Sequence, residues 1–284
     1  VIEWSGRPSN STLRGSLCRD RHLLLLFLCC VAVAVAWPRG QKVADSIEVA
    51  NFLVDAAAVG AGELVALTAL FVVIQRFRDD VLLTARDDWL LAAASFPIAL
   101  ASLHVASLAM AAVGLSFSFR KDARLAAAGQ LLLALASYET FGPLLFRLIL
   151  PLALAFEASL VGHLLSLFGD FARDGDMIVA SNGHAIFIEV PCSSFHNLTF
   201  SMLLCLSLLT IEKLTISRSD VPLFLAMAGI TIVFNLTRIG LMAQSGAYYE
   251  FWHDGLGVKL YSIGLMGALV ATYLLVRPSP VPGT

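Results

Sequence analysis

Long apolar runs alternate with short polar breaks through most of this 284-residue chain, and several runs have the length that crosses a bilayer. The first covers residues 22–37, behind Arg7, Arg14, Arg19 and Arg21. Arginines massed before a first span place the N-terminal segment, residues 1–21, in the cytoplasm. The run reads as an uncleaved anchor, because Pro38, Arg39 and Gly40 follow it where a signal peptide needs small residues. Further spans are expected at 56–74, 89–117 and 125–138, and a fifth ends near 168 after a turn at 139–143. The sixth runs from 192 to 211, the seventh from 221 to 242, and the eighth ends before Arg277. Arg76, Arg78 and Arg86 mark one loop as cytoplasmic, and Lys213, Arg218 and Arg277 mark later ones. Eight spans put both termini inside. Arg120, Lys121 and Arg124 break the pattern, since this count places their loop outside.

The longest polar excursion of the second half is Gly169 to Val190. Within it, residues 177–180 and 185–190 flank Ser181-Asn182-Gly183-His184, and Asn-Gly between two β-prone runs is a hairpin signal. The expected fold is therefore an all-α integral membrane protein, with about eight transmembrane helices and a small extracytoplasmic β-hairpin ahead of helix six. One membrane domain, 22–277, carries no soluble appendage, and the Pro-rich tail 278–284 is expected to be disordered.

Composition agrees. Hydrophobic residues make up 58% and charged residues 14%, against roughly a quarter charged in a soluble domain. A net charge of −2 without any basic tract excludes a nucleic-acid partner. The five cysteines (Cys18, Cys29, Cys30, Cys192, Cys205) form no CxxC pair and no His/Cys cluster, so neither zinc nor any other metal or cofactor is expected. Cys29, Cys30 and Cys205 read as small hydrophobes embedded in the membrane. Leu28 is too bulky for Cys29 to be a lipoprotein acceptor. His104 and His163, inside spans three and five, have no haem-ligand spacing and read as structural. Glu63 and Glu157 lie inside spans and stay open as members of a proton path, whereas Glu139 reads as a loop residue. Asn197-Leu198-Thr199 and Asn235-Leu236-Thr237 match glycosylation sequons but fall within spans.

Three reactive side chains in the last third fall where apolar helices meet water. Cys192 follows Pro191, a residue favoured at the first helical position. A thiol in a helix's first turn faces unpaired N–H groups and the positive dipole end, which favour the thiolate. Arg238 lies inside an apolar span with Asn235 three residues earlier on the same face. Such an arginine costs at least about 2.5 kcal/mol and so faces a cavity or partner, or else snorkels to the nearby interface. His253 lies among Tyr248, Tyr249, Phe251 and Trp252, an interfacial aromatic cluster, where an imidazole can exchange protons near neutral pH. His196, one turn after Cys192, is a further imidazole that lies only approximately on the thiol's side of the helix. Thiol, imidazole and guanidinium at one membrane face supply a nucleophile, an acid/base and a cation for a developing oxyanion. The competing class is a non-catalytic transporter or envelope assembly factor, in which Arg238 and Glu157 line a polar path.

Cys-Ser after a short strand, then Asn-x-x-Arg, then His-x-x-x-Gly resembles the exosortase/archaeosortase family over about residues 143–275. The resemblance implies a membrane cysteine transpeptidase or protease acting on C-terminal sorting tails of the PEP-CTERM type. Such a tail is a short motif, a transmembrane helix and a basic end, borne by an exported protein. It also implies a prokaryotic inner membrane and an active site on the extracytoplasmic side. The roles carried over are nucleophile for Cys192, acid/base for His253 and oxyanion or substrate stabilisation for Arg238. Ser193, Asn235 and Gly257 support them as the other motif residues. Where family members commonly read Ala-Cys-Ser-Gly-Leu, this chain has Pro191-Cys192-Ser193-Ser194-Phe195; the missing glycine bears on how closely a substrate approaches.

Overall fold

The computed structural model describes residues 20–36, 49–76, 83–100, 102–167, 169–188, 192–214 and 216–277. The expectations for the N-terminal segment before residue 20, for Pro191 and for the tail 278–284 lie outside them. The described chain is mostly helical. Helix α1 covers residues 20–36. There follow α2 (Val49–Gln75), α3 (Ala85–Leu100), α4 (Leu103–Ser118), α5 (Ala123–Ala136) and α6 (Gly142–Ser166). Strands β1 (Phe171–Asp174), β2 (Met177–Ala180) and β3 (Ala185–Phe187) precede α7 (Ser194–Glu212), α8 (Val221–Met242), α9 (Gly246–His253) and α10 (Leu256–Val276). Among the described residues, three stretches are long and apolar enough to cross a membrane: Ala123–Ser166, Arg218–Met242 and Leu256–Val276. Shorter apolar helices cover Gly62–Gln75, Leu103–Ser118 and Asn197–Glu212. Leu148, Leu152, Phe156, Leu225, Ile263 and Leu274 are all exposed, as lipid-facing side chains are and as a water-soluble surface rarely is.

Chain contacts divide the molecule into two units. The first holds Val1–Asp45, Glu63–Glu139 and Ser207–Thr215. Its core is built from Val31, Val35, Ala66, Ala69, Val73, Leu91, Met110, Val113, Leu131 and Leu135. Several helix ends are bonded together there. Leu83 N donates to Asp20 Oδ2 at 3.0 Å, Arg21 bonds Gln75, and Arg76 reaches the carbonyls of Thr210 and Ile211. Arg120 pairs with Asp87 and donates to Thr84 Oγ1 at 3.3 Å, and Arg124 Nη1 donates to the Arg76 carbonyl at 3.3 Å.

These bonds correct the expected path. The apolar run 89–117 is two antiparallel helices, because the start of α3 meets the chain beyond the end of α4. Pro97 deprives the last turn of α3 of a donor, and Ser102 has extended backbone before α4 begins. The loop carrying Arg120 and Arg124 thus shares a face with Arg76 and Thr84, which removes the charge conflict of the linear count. Conversely, no turn interrupts 139–143: Ser137–Phe141 is a π-helical stretch joining α5 to α6.

Helices α4 and α5 touch backbone to backbone at Gly114 and Gly129. A Cβ on Gly129 would stand 2.5 Å from Ser118 N and 2.6 Å from Gly114 O. Backbone cannot swing aside as a side chain can, so overpacking here should cost about 1–3 kcal/mol. That outweighs the gain of up to ~1 kcal/mol that alanine brings to a helix interior. Gly129→Ala is therefore expected to lower the thermal midpoint in detergent; an unchanged or raised midpoint would show that propensity wins.

The second unit holds Ser46–Gly62, Thr140–Leu206 and Ile216–Thr284. Its sheet is an antiparallel meander, β1-β2-β3, with Asp174 opposite Met177 and Val179 opposite Ala185. The expected hairpin is its β2–β3 half. β1 was missed, although Gly175-Asp176 forms the kind of two-residue turn that signals a hairpin, with Gly175 at φ +59°. Ile178 and Ile186 from the sheet, with Ile188 just beyond it, pack with Ala158, Val161 and Leu165 of α6, with Cys192, and with Ile239, Met242 and Ala243 around the end of α8.

A candidate active site at the start of α7

Helix α7 begins at Ser194, two residues later than expected, so Cys192 sits in the turn that leads into it. Several polar groups of that turn are held by named partners. Ser193 acts as the cap: its Oγ accepts the Phe195 N–H at 3.2 Å, one of the donors a helix start leaves orphaned. The Ser194 N–H is taken by Glu157 Oε1 on α6, at 2.7 Å. Asn235 on α8 donates to the Cys192 carbonyl at 2.7 Å and to Ser194 Oγ at 3.1 Å. Two of the residues that depart from the family pattern, Ser194 and Phe195, are thus engaged, since Phe195 stacks on Phe146 at 4.8 Å between centroids. Cys192 itself is only 2% exposed. His196 begins the same helix, but its side chain lies outside what is described.

Arg238 does not snorkel. It is 8% exposed, its Nε donates to the Trp252 carbonyl at 3.0 Å, and its guanidinium carbon lies 5.0 Å from the centre of the Tyr261 ring. Tyr261 in turn donates to Asn235 Oδ1 at 3.3 Å and accepts from Asn197 at 3.0 Å. A continuous polar chain therefore runs from Asn197 through Tyr261 and Asn235 to the backbone of Cys192, with Arg238 over the tyrosine. Sequence reading passed over Tyr261 and treated Asn197 only as part of a sequon. The available signal was a set of uncharged polar side chains on helices that lipid surrounds, where each must find a partner.

His253 ends α9, a short helix that the sequence reading took for loop. Ser245 caps it by accepting the Tyr248 N–H at 3.3 Å. Tyr249 and Trp252 of α9 pack against the cluster that contains Cys192, and the His253 ring stacks on Tyr249 at 4.7 Å. Its Nδ1 lies 2.9 Å from Asp254 Oδ1. Gly257, at the start of α10, is buried against α9: a Cβ there would stand 2.6 Å from the Phe251 carbonyl and 2.8 Å from its ring. A residue without a side chain is what allows the helix bearing His253 to fold back so tightly.

The structure thus brings Cys192, Ser193, Asn235, Arg238 and Gly257 into one assembly in the second unit, with His253 at its margin. The β2–β3 turn closes over the same region, since Asn182 donates to the Gln244 carbonyl at 2.9 Å and His184 Nε2 lies 3.1 Å from the Met242 carbonyl. Among the described residues, no three His, Cys, Asp or Glu side chains are grouped as a metal ion would require.

Fold and site together define a polytopic helical membrane protein with a buried thiol and a buried guanidinium where its helices end. The transmembrane exosortase family model matches residues 19–270, and the chain belongs to that family. The match extends well before residue 143, where the resemblance read from motifs began. No curated protein and no solved structure matches the chain.

Proposed function

We propose that this protein is a membrane cysteine transpeptidase or protease that cuts C-terminal sorting tails of exported proteins. The observation that carries the reading is the joint anchoring of Cys192 and Arg238 through Asn235 and Tyr261. In the proposed reaction the Cys192 thiolate attacks the scissile carbonyl, and the tetrahedral oxyanion lies against the Arg238 guanidinium. With Nδ1–H donating to Asp254, His253 uses Nε2 for proton transfer. It protonates the departing amine as the thioester forms. It then takes a proton from the acceptor, water or an amine, which releases the thiol.

The family resemblance points to a prokaryotic inner membrane, and the charge pattern supports a site on its outer side. Eight crossings fit the corrected helices: α1, α2, α3, α4, the α5–α6 stretch, α7, α8 and α10. That count keeps Arg76, Arg120, Arg124, Lys213 and Arg277 on the cytoplasmic side and puts the sheet and α9 opposite. The α3 and α4 passes, at roughly 24 Å each, are short and require local thinning of the bilayer. Co-expression with an exported reporter bearing a PEP-CTERM-type tail tests the reading. The expected result is a reporter shortened by the mass of the tail, and a reporter that keeps its tail at all expression levels would overturn it.

A further inference from the structure

Glu157 lies in the middle of α6, 7% exposed, on the face that also buries Ala158, Val161 and Leu165. No step of the proposed reaction uses it. Its Oε1 holds the Ser194 N–H, which leaves its Oε2 buried with no hydrogen-bond partner. A bare carboxyl oxygen in such a place costs about 1–3 kcal/mol or more and calls for an explanation. Packing alone does not supply one, because an alanine or leucine would fill an apolar helix face without that cost. Helix capping does not supply it either, since one oxygen is enough to satisfy Ser194.

What enters the site does. A peptide drawn to a thiol at a lipid-flanked site leaves water behind, so each of its N–H and C=O groups needs a protein partner. Arg238 provides donors for a carbonyl. Among the described residues its guanidinium gives one hydrogen bond, from Nε to Trp252, so the terminal nitrogens are uncommitted. An acceptor for the peptide N–H is the missing complement. Glu157 Oε2 is such an acceptor, on a residue already bonded two positions from the nucleophile. We propose that Glu157 is a positioning residue with two ends: Oε1 fixes the Cys192–Ser194 turn, and Oε2 accepts an N–H from the main chain of the bound peptide. The second half rests on the peptidase reading; the first does not.

Glutamine separates the two ends. In E157Q the amide oxygen still accepts the Ser194 N–H, but an NH2 donor replaces Oε2. E157A loses both. The first measurement uses the full chain in nanodiscs with Cys18, Cys29, Cys30 and Cys205 replaced by serine, labelled at Cys192 with methyl methanethiosulfonate. At alkaline pH, where the thiol is ionised, the rate reports access. E157Q should label like the parent, and E157A about tenfold faster or more, as expected when a bond of this kind releases a 2%-exposed thiol. Equal rates for E157A and the parent, or for E157Q and E157A, would overturn the anchoring role whether or not any tail is ever cut.

The second measurement compares the affinity of a synthetic PEP-CTERM-type tail for Cys192→Ala protein with and without E157Q. Weakening by about tenfold or more is expected from the lost acceptor, and unchanged affinity would overturn its role. If Cys192→Ala protein binds no tail at all, the sorting-tail reading fails together with the acceptor role, while the labelling result still decides the anchor.

Discussion

Cys192→Ala is expected to leave a tailed reporter full length while the protein accumulates and inserts as wild type does. The size of the effect follows from the chemistry. Removing a nucleophile that forms a covalent intermediate removes the reaction path itself, and losses of order a millionfold follow loss of such a residue in other hydrolases. Stability should barely respond. Cys192 packs with Ile178, Ile186 and Ile239 through a small side chain, and trimming one sulfur from such a site costs on the order of 1 kcal/mol. The backbone contacts that hold the turn, from Asn235 to the Cys192 carbonyl and from Glu157 to Ser194, do not depend on the thiol. A separation of activity from stability is therefore the signature, read by reporter mass alongside thermal unfolding in detergent. Wild-type shortening of the reporter by the alanine variant would sink the mechanism. Cys192→Ser sharpens the test. A hydroxyl is far harder to ionise than a thiol, so the serine variant should acylate slowly, and any ester that forms should survive long enough to be weighed.

The parts of this site that could be read from sequence are those that a membrane makes costly. Arg238 and Asn235, three residues apart in an apolar helix, had to face something polar, and the structure gives Asn235 both Cys192 and Tyr261. That a helix starts close to Cys192 was legible, but the reading placed Cys192 within its first turn, whereas α7 begins at Ser194 with Ser193 as its cap. Other features left no periodic trace. In the apolar run 89–117 Pro97 hints at a break, but no periodic feature marks where α4 begins; the pairing of Arg120 with Asp87, across 33 residues, shows that the chain has doubled back. Helix α9 is eight residues of mostly aromatic character, too short for a 3.6-residue period to stand out from an interfacial belt. Glu157 was visible only as an acidic residue within a span. Its partner is a backbone N–H 37 positions away, and no side-chain pattern encodes such a bond.

Arg238→Met is expected to cut turnover by about a hundred- to a thousandfold, the loss found when one oxyanion donor is removed from an acyl-transfer site, while changing stability by about 1 kcal/mol or less. The second half of that expectation comes from setting opposing terms side by side. Placing an arginine at lipid depth costs roughly 2.5–3.5 kcal/mol on insertion scales. Against this stand a charged hydrogen bond to the Trp252 carbonyl, worth about 1.5–3 kcal/mol, and a contact with the Tyr261 ring, worth about 0.5–2 kcal/mol. The terms nearly cancel, so an apolar side chain of similar length should be tolerated by the fold. A residue whose visible contacts only balance the cost of burying it is retained for what its remaining donors do. Arg238→Lys discriminates further. It keeps the charge but not the planar fork, so one ammonium cannot both hold Trp252 and meet an oxyanion at the second nitrogen; its turnover should fall between those of Met and wild type. The effect belongs in kcat, because an oxyanion exists only in the transition state, whereas a change confined to KM would reassign Arg238 to ground-state binding of the peptide. Unchanged turnover in Arg238→Met would remove the guanidinium from the mechanism and leave the polar chain through Tyr261 as a purely structural feature.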